Sequence, residues 1–267
     1  MKTYDLVLGF GPACSCSQTL RRAGLQLLSL PFDWIGPLAG SAWYAGDVRR
    51  RADLVASEFD DWLRIEDFVY DGENTNGMYK YRNTRNKLSF IHDFPIGVPL
   101  EQSFPDVAAK FARRTTRLLD LMRKSGKILI VRLDRPNLEY RTPVEDCHYA
   151  REVLSKKFPH AEFDFLLMYQ NPGIPFGSQK LETPEPGIFR LEFDYRDKRP
   201  EIDPNFPDLA LTSAAVAQLF SVKEYRTKEE IAAHRKAERR KRWAKYGATN
   251  AWQYRWRKLI ARFRRSG

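Results

Sequence analysis

The sequence predicts an α/β or α+β layered domain, with helices packed on a short-stranded sheet, followed by a basic helical appendage. Three observations carry that expectation. Short apolar runs bounded by Gly and Pro alternate with segments of helical periodicity, the pattern of a layered domain. Hydrophobic residues make up 43% of the 267, enough to fill a core. Charge divides sharply along the chain: residues 1–222 hold 29 basic and 30 acidic side chains, net −1, whereas residues 223–267 hold 16 and 4, net +12. The body is electrically ordinary and the basicity belongs to the appendage.

Taken in order, YDLVLGF (4–10) reads as a buried strand that Gly9, Gly11 and Pro12 break into a tight turn. A helix is expected over 15–23, with Gly24 as its C′ residue. After PFDW (31–34) a second helix is expected over 38–57, and residues 66–87, rich in Asp, Asn, Gly and Tyr, read as a long polar loop. LSFIHDF (88–94) reads as a strand. Residues 105–125 read as a helix with Val107, Phe111, Leu118, Leu119 and Met122 inward and Arg113, Arg114, Arg117 and Arg123 interleaved. KILIVRL (127–133) is a clear buried strand, followed by a helix over 143–157, strands at 163–169 and 187–193, and a helix over 209–220.

The appendage opens with a capping box, Thr227 with Glu230, ahead of strong helix formers over 227–246. Beyond Gly247, Trp252, Trp256, Leu259, Ile260 and Phe263 fall on one helical face, while Arg255, Lys258, Arg262 and Arg265 fall largely away from it. A basic, Trp-bearing amphipathic helix suits an anionic membrane surface, so Trp252, Trp256, Lys258 and Arg262 are candidate membrane contacts within 250–265. The same face can instead dock on the body, or Trp and Arg can stack bases and neutralise phosphates, although the body shows no nucleic-acid-binding signature.

No stretch approaches the ~20 apolar residues of a membrane-spanning helix, and the first apolar run reads as a strand, not as a signal peptide. The three cysteines, Cys14, Cys16 and Cys147, show neither a metal-binding CxxC spacing nor a disulfide framework. No metal is expected, and a reducing, cytoplasmic setting is.

Cys14 lies where the first strand turns into the first helix. A thiol there meets unpaired N–H donors and the positive end of the helix dipole, both of which favour thiolate, and the same amides can hold an oxyanion. Its other reading is a small residue packed in a tight turn. Cys16 and Cys147 read as packing residues. A cysteine nucleophile needs a base, and of the four histidines His92, at a strand end between Phe90 and Phe94, is the most enclosed. For an acid that orients the imidazole, Asp33 is the first candidate. Asp93, adjacent to His92 on a strand, points to the opposite face and is the second.

The stretch LGFGPACSCSQTLRRAGLQLLSLPFDWIG resembles the start of a bacterial family of unknown function described as papain-like cysteine peptidases. The family's Gly-x-x-Cys turn, Leu-Arg-x-x-Gly-Leu helix end and Pro-Phe-Asp-Trp are matched by Gly11, Cys14, Leu20-Arg21, Gly24-Leu25 and Pro31-Phe32-Asp33-Trp34. Its Phe-x-His-Asp-Phe is matched by Phe90, His92, Asp93 and Phe94. Its paired arginines look like Arg113-Arg114, which become candidate substrate contacts, and its apolar strand ending in Arg looks like ILIVRL. The resemblance spans about residues 4–170 and implies a papain-like domain over 1–222, with 223–267 outside it. It implies a Cys14–His92 pair acting through an acyl-enzyme. The reaction expected is hydrolysis of a peptide, amide or ester bond without a cofactor. Related families lie among genes for surface polysaccharides, so the alternative is an acyltransferase with an acyl-CoA donor and a glycan acceptor. A third reading is a non-catalytic binding module acting through the tail.

Overall fold

The computed structural model describes residues 1–37, 44–74, 77–134, 140–195 and 207–223, together with Lys236 and Arg240. The chain divides into two compact units, Met1–Lys223 and Glu224–Gly267. The expected tail helices, with Trp252, Trp256, Lys258 and Arg262, lie outside the described residues, as does the 38–43 part of the expected second helix.

The first unit is a mixed α/β structure. Its elements are β1 (Lys2–Tyr4), β2 (Leu6–Gly9), α1 (Cys14–Arg22), β3 (Ile35–Pro37), α2 (Asp47–Ala56), β4 (Phe68–Glu73), β5 (Met78–Asn83), β6 (Leu88–Pro95), α3 (Leu100–Lys124), β7 (Lys127–Leu133), α4 (Val144–Lys157), β8 (Glu162–Gln170), β9 (Gln179–Glu185), β10 (Ile188–Phe193), α5 (Leu209–Leu219) and β11 (Phe220–Val222). A five-stranded sheet runs β2-β7-β8-β10-β9, parallel except for the antiparallel edge strand β9. A four-stranded antiparallel sheet runs β3-β6-β5-β4, and β1 pairs with β11.

Both faces of the parallel sheet are covered, which explains why its strands read as unbroken apolar runs. Alternate side chains enter different cores. Leu6, Leu8, Ile128, Ile130, Phe163, Phe165 and Leu167 join α2, α3, α4 and the antiparallel sheet. Val7, Leu129, Val131, Leu166 and Met168 join α1 and α5. Helix α1 ends as its sequence requires: Gly24, at φ +74°, donates to Arg21 O at 3.2 Å and Leu25 donates to Leu20 O at 2.9 Å, which closes the last turn.

The polar loop expected over 66–87 is corrected: it is the hairpin β4–β5. One face of the hairpin is aromatic, with Phe68 packed on Phe90, Phe94 and Phe104 at 5.0, 5.6 and 5.3 Å and Tyr81 on Phe94 at 4.8 Å. The other face is polar and solvated, and that composition hid the strands. Helix α3 also begins five residues before the expected start and takes Pro105 inside it. Strands β3 and β9 were not expected. The first is three residues containing Gly and Pro, and the second is a mostly exposed polar edge.

Candidate functional site

The parallel ladder delivers the site. Beyond β2, Phe10 N still donates to Val131 O at 2.8 Å, and the chain then turns through Gly11-Pro12-Ala13 into α1, whose first residue is Cys14. Ala13 is extended at φ −152° and offers no side-chain cap, and the Cys16 amide donates to Ala13 O at 3.3 Å. Gly11 is required for this turn. A Cβ there would stand 2.9 Å from Cys16 Sγ and collide outright with Cys16 Cβ. Gly36 plays the matching part on β3, where a Cβ would lie 2.5 Å from Pro12 O. The turn is thus clamped between α1 and β3.

Cys14 is half-buried, whereas Cys16 and Cys147 are fully packed in the two cores, and the three form no disulfide. Burial pushes both core thiols up to about 12, and Cys16 Sγ donates to Val131 O at 3.4 Å. The packing role expected of these two is what the structure shows.

Residues 23–34 connect α1 to β3, and Asp33 fastens that connection. Its carboxylate accepts from Arg21 Nη2 at 2.6 Å, Gln26 Nε2 at 2.8 Å and the Leu30 amide at 2.9 Å. With side-chain exposure of 0%, the Asp33 carboxylate is engaged by its own loop. The Ser17 hydroxyl is shared between Cys14 O at 3.1 Å and Asp33 O at 2.9 Å, so the first turn of α1 is tied directly to this connection.

His92 reaches the same connection from the other side. β3 pairs with β6 through Ile35↔Phe90, and beyond that pair the chain leads to Trp34 and Asp33 on one side and to Ile91 and His92 on the other. The Trp34 indole meets the imidazole edge to face, centroids 5.6 Å apart. β6 is not regular here. Against β5 its partners are Tyr81↔Phe90 and Tyr79↔Phe94, so Ile91, His92 and Asp93 stand opposite a single residue. Such a bulge bends the strand and re-aims its side chains. Phe90 and Phe94 both enter the core while His92 remains half-buried between them. The Asn74 amide donates to Ile91 O, a carbonyl the disrupted ladder leaves over.

Burial holds the His92 imidazole below its ordinary 6.5; Asp93 acts in the opposite direction and Lys110 adds to the lowering. The lowering favours the neutral form of the ring. Asp93 is buried and ion-paired to Lys110, and its Oδ2 makes no hydrogen bond. Among the described residues no carboxylate is hydrogen-bonded to His92, neither Asp33 nor Asp93.

Helix α3 presents a basic stripe to this region. Lys110 holds Asp93, Arg117 Nη1 donates to Ser29 O at 2.7 Å, and Arg114 lies between them, half-buried. Arg113 points outward and is exposed, so of the paired arginines the structure brings only Arg114 to the site. Arg21 lies over the Trp34 ring at 5.9 Å. Lys110 and Arg117 were missed as members of the site, although the spacing 110, 114, 117 places all three on one helical stripe.

Beneath the Cys14 turn lies a second feature the sequence reading missed. Arg132, the basic residue in the apolar strand β7, is 1% exposed and donates to Phe10 O at 2.7 Å, to Asp134 Oδ1 at 2.9 Å and to Asp47. Asp47 also accepts from the fully buried Arg51 at 3.0 Å. Burial would raise the Asp47 carboxyl, but the flanking guanidiniums of Arg51 and Arg132 hold it low. This network fixes the end of β2 against β7 and α2.

Among the described residues no group of three or more His, Cys, Asp or Glu has a metal-binding arrangement, and no helix is long and apolar enough to cross a membrane. No family profile matches the chain, and no solved structure matches it. The chain is similar to an uncharacterized protein of Acanthamoeba polyphaga mimivirus, at 26% identity over 190 residues, an alignment covering 64% of this chain and 80% of the viral one.

Proposed function

We propose that the chain is a thiol-dependent hydrolase of papain-like chemistry, in which Cys14 is the nucleophile and His92 the general base. One observation carries the reading: the short segment around Asp33 and Trp34 touches both partners, through Ser17 to the Cys14 backbone and through the indole to the His92 ring. A helix-start cysteine and a strand histidine that both adjoin one segment support this reading, in which the thiol and the imidazole work as a pair.

In this scheme the Cys14 proton passes to His92, and the thiolate attacks the carbonyl carbon of an amide or ester. First-turn amides of α1 donate hydrogen bonds to the carbonyl oxygen as it gains charge. The carbon–nitrogen or carbon–oxygen bond then breaks, and the leaving group takes the proton from His92. Water, giving a proton to His92, attacks the thioester; the acid departs and Cys14 recovers its proton. Burial that favours the neutral imidazole suits the base role. Trp34, in place of a carboxylate, limits how the ring turns. A reactive thiol suits a reducing, cytoplasmic compartment.

Alkylation with iodoacetamide followed by peptide mapping tests the pair. Cys14 should react at least ~10-fold faster than Cys16 and Cys147 at pH 7.5, and His92→Ala should slow it. Equal, slow labelling of all three cysteines rejects the reading.

A further inference from the structure

Arg114 is held in an unusual state for a half-buried guanidinium. It makes no hydrogen bond to any described residue, and its Nη1 is sealed from solvent without a partner. It lies over the Phe111 ring, its guanidinium carbon 5.2 Å from the ring centroid, within the electrostatic reach of Asp93 and Asp33. The neighbours one turn to either side are engaged, Lys110 with Asp93 and Arg117 with Ser29 O, which fixes Arg114 between the His92 end and the Asp33 end of the site. Asp93 Oδ2 is likewise buried with no hydrogen bond, so Arg114 and Asp93 do not satisfy each other. Four cations, Arg21, Lys110, Arg114 and Arg117, stand here against two carboxylates, Asp33 and Asp93.

A buried donor left unmatched is costly, and a planar guanidinium is matched best by a two-oxygen acceptor. We infer that Arg114, flanked by Lys110 and Arg117, forms an oxyanion-binding subsite next to the Cys14–His92 pair, and that the substrate carries a carboxylate or phosphate group seated there. The inference rests on the proposed role of that pair for its meaning as a substrate subsite, but the subsite itself is a property of α3. The surplus of positive charge draws such a group in, and the excess donors of Arg114 fix its position.

Two readouts on the full chain test it. The first is the ratio of Cys14 alkylation rates with iodoacetate and iodoacetamide, reagents that differ in the carboxylate alone. The second is the rise in Tm caused by inorganic phosphate. Arg114→Gln should lower the iodoacetate-to-iodoacetamide ratio about tenfold, or abolish the phosphate-dependent rise, or both. A change confined to the first identifies a carboxylate ligand and one confined to the second a phosphate. Arg123→Gln, on the same helix but bonded to Glu58, should leave both as in the wild type. Arg114→Lys, which keeps the charge, should retain part of each effect and provides the comparison if Arg114→Gln does not fold. Wild-type values of both readouts in Arg114→Gln, or in Arg114→Lys where Arg114→Gln does not fold, overturn the subsite. If Cys14 resists both reagents in the wild type, the Cys–His reading fails and the phosphate response alone decides the subsite.

Discussion

The imidazole of His92 packs edge to face against the indole of Trp34, with an interplanar angle of 84°. Trp34 is therefore part of what removes water from the ring and holds it below its ordinary 6.5. Trp34→Ala should raise the His92 titration midpoint toward 6.5, as read by NMR, while Trp34→Phe should raise it less. An unchanged midpoint in Trp34→Ala would mean that the indole contributes no desolvation.

The same lowering sets a pH dependence of stability. A histidine whose folded value lies below its unfolded value favours folding fully above about 6.5, and that contribution is lost as pH falls through the folded value. Urea unfolding at pH 7.5 and pH 5 should show a loss of stability in the wild type that is smaller in His92→Phe. Identical losses in the two proteins would remove His92 as a contributor.

Asp33 is predicted to matter for stability first and for reactivity through position. Asp33→Ala removes the acceptor for Arg21, Gln26 and the Leu30 amide at once, and should cost about 3 kcal/mol. The accompanying displacement of Trp34 should slow Cys14 alkylation. A variant with wild-type stability would show that the connection is held elsewhere.

Arg132 bridges β2, β7 and α2 from inside the core. Arg132→Met leaves Asp47 and Asp134 buried without that partner and should cost about 3–5 kcal/mol. Because Asp47 is held below its ordinary 3.8, its contribution is present above that value and lost as pH falls below it. Asp47→Asn should accordingly unfold with a shallower dependence on pH below 4 than the wild type, as followed by circular dichroism.

Gly11→Ala should destabilise the chain by about 2–3 kcal/mol through overpacking. Adding Cys16→Ala should not restore it, because the added Cβ meets Cys16 Cβ as well as its sulfur. Full restoration in the double variant would place the close approach at the sulfur alone.

The parallel core was written plainly in the chain. LVLG, KILIVRL and FDFLLMY are apolar on both faces because both faces are covered, and Gly24 ends α1 by a local rule that needs no partner. Cys14 at the start of α1 follows from the same local rules. The hairpin β4–β5 was obscured because Phe68 and Tyr81 are apolar only toward β6, and a propensity scan sees the Asp, Asn and Gly around them.

By itself, then, the sequence determined the strand–turn–helix that carries Cys14, the inward stripe of α3 and the division of charge between body and tail, since each depends on neighbours a few residues apart. The tertiary structure decided the rest. That Asp33 serves its own loop, that a bulge in β6 sets where His92 points, that Arg114 and not Arg113 faces the site, and that Arg132 is buried among carboxylates all depend on which distant groups compete for the same hydrogen bonds and the same space. Local pattern carries no record of that competition.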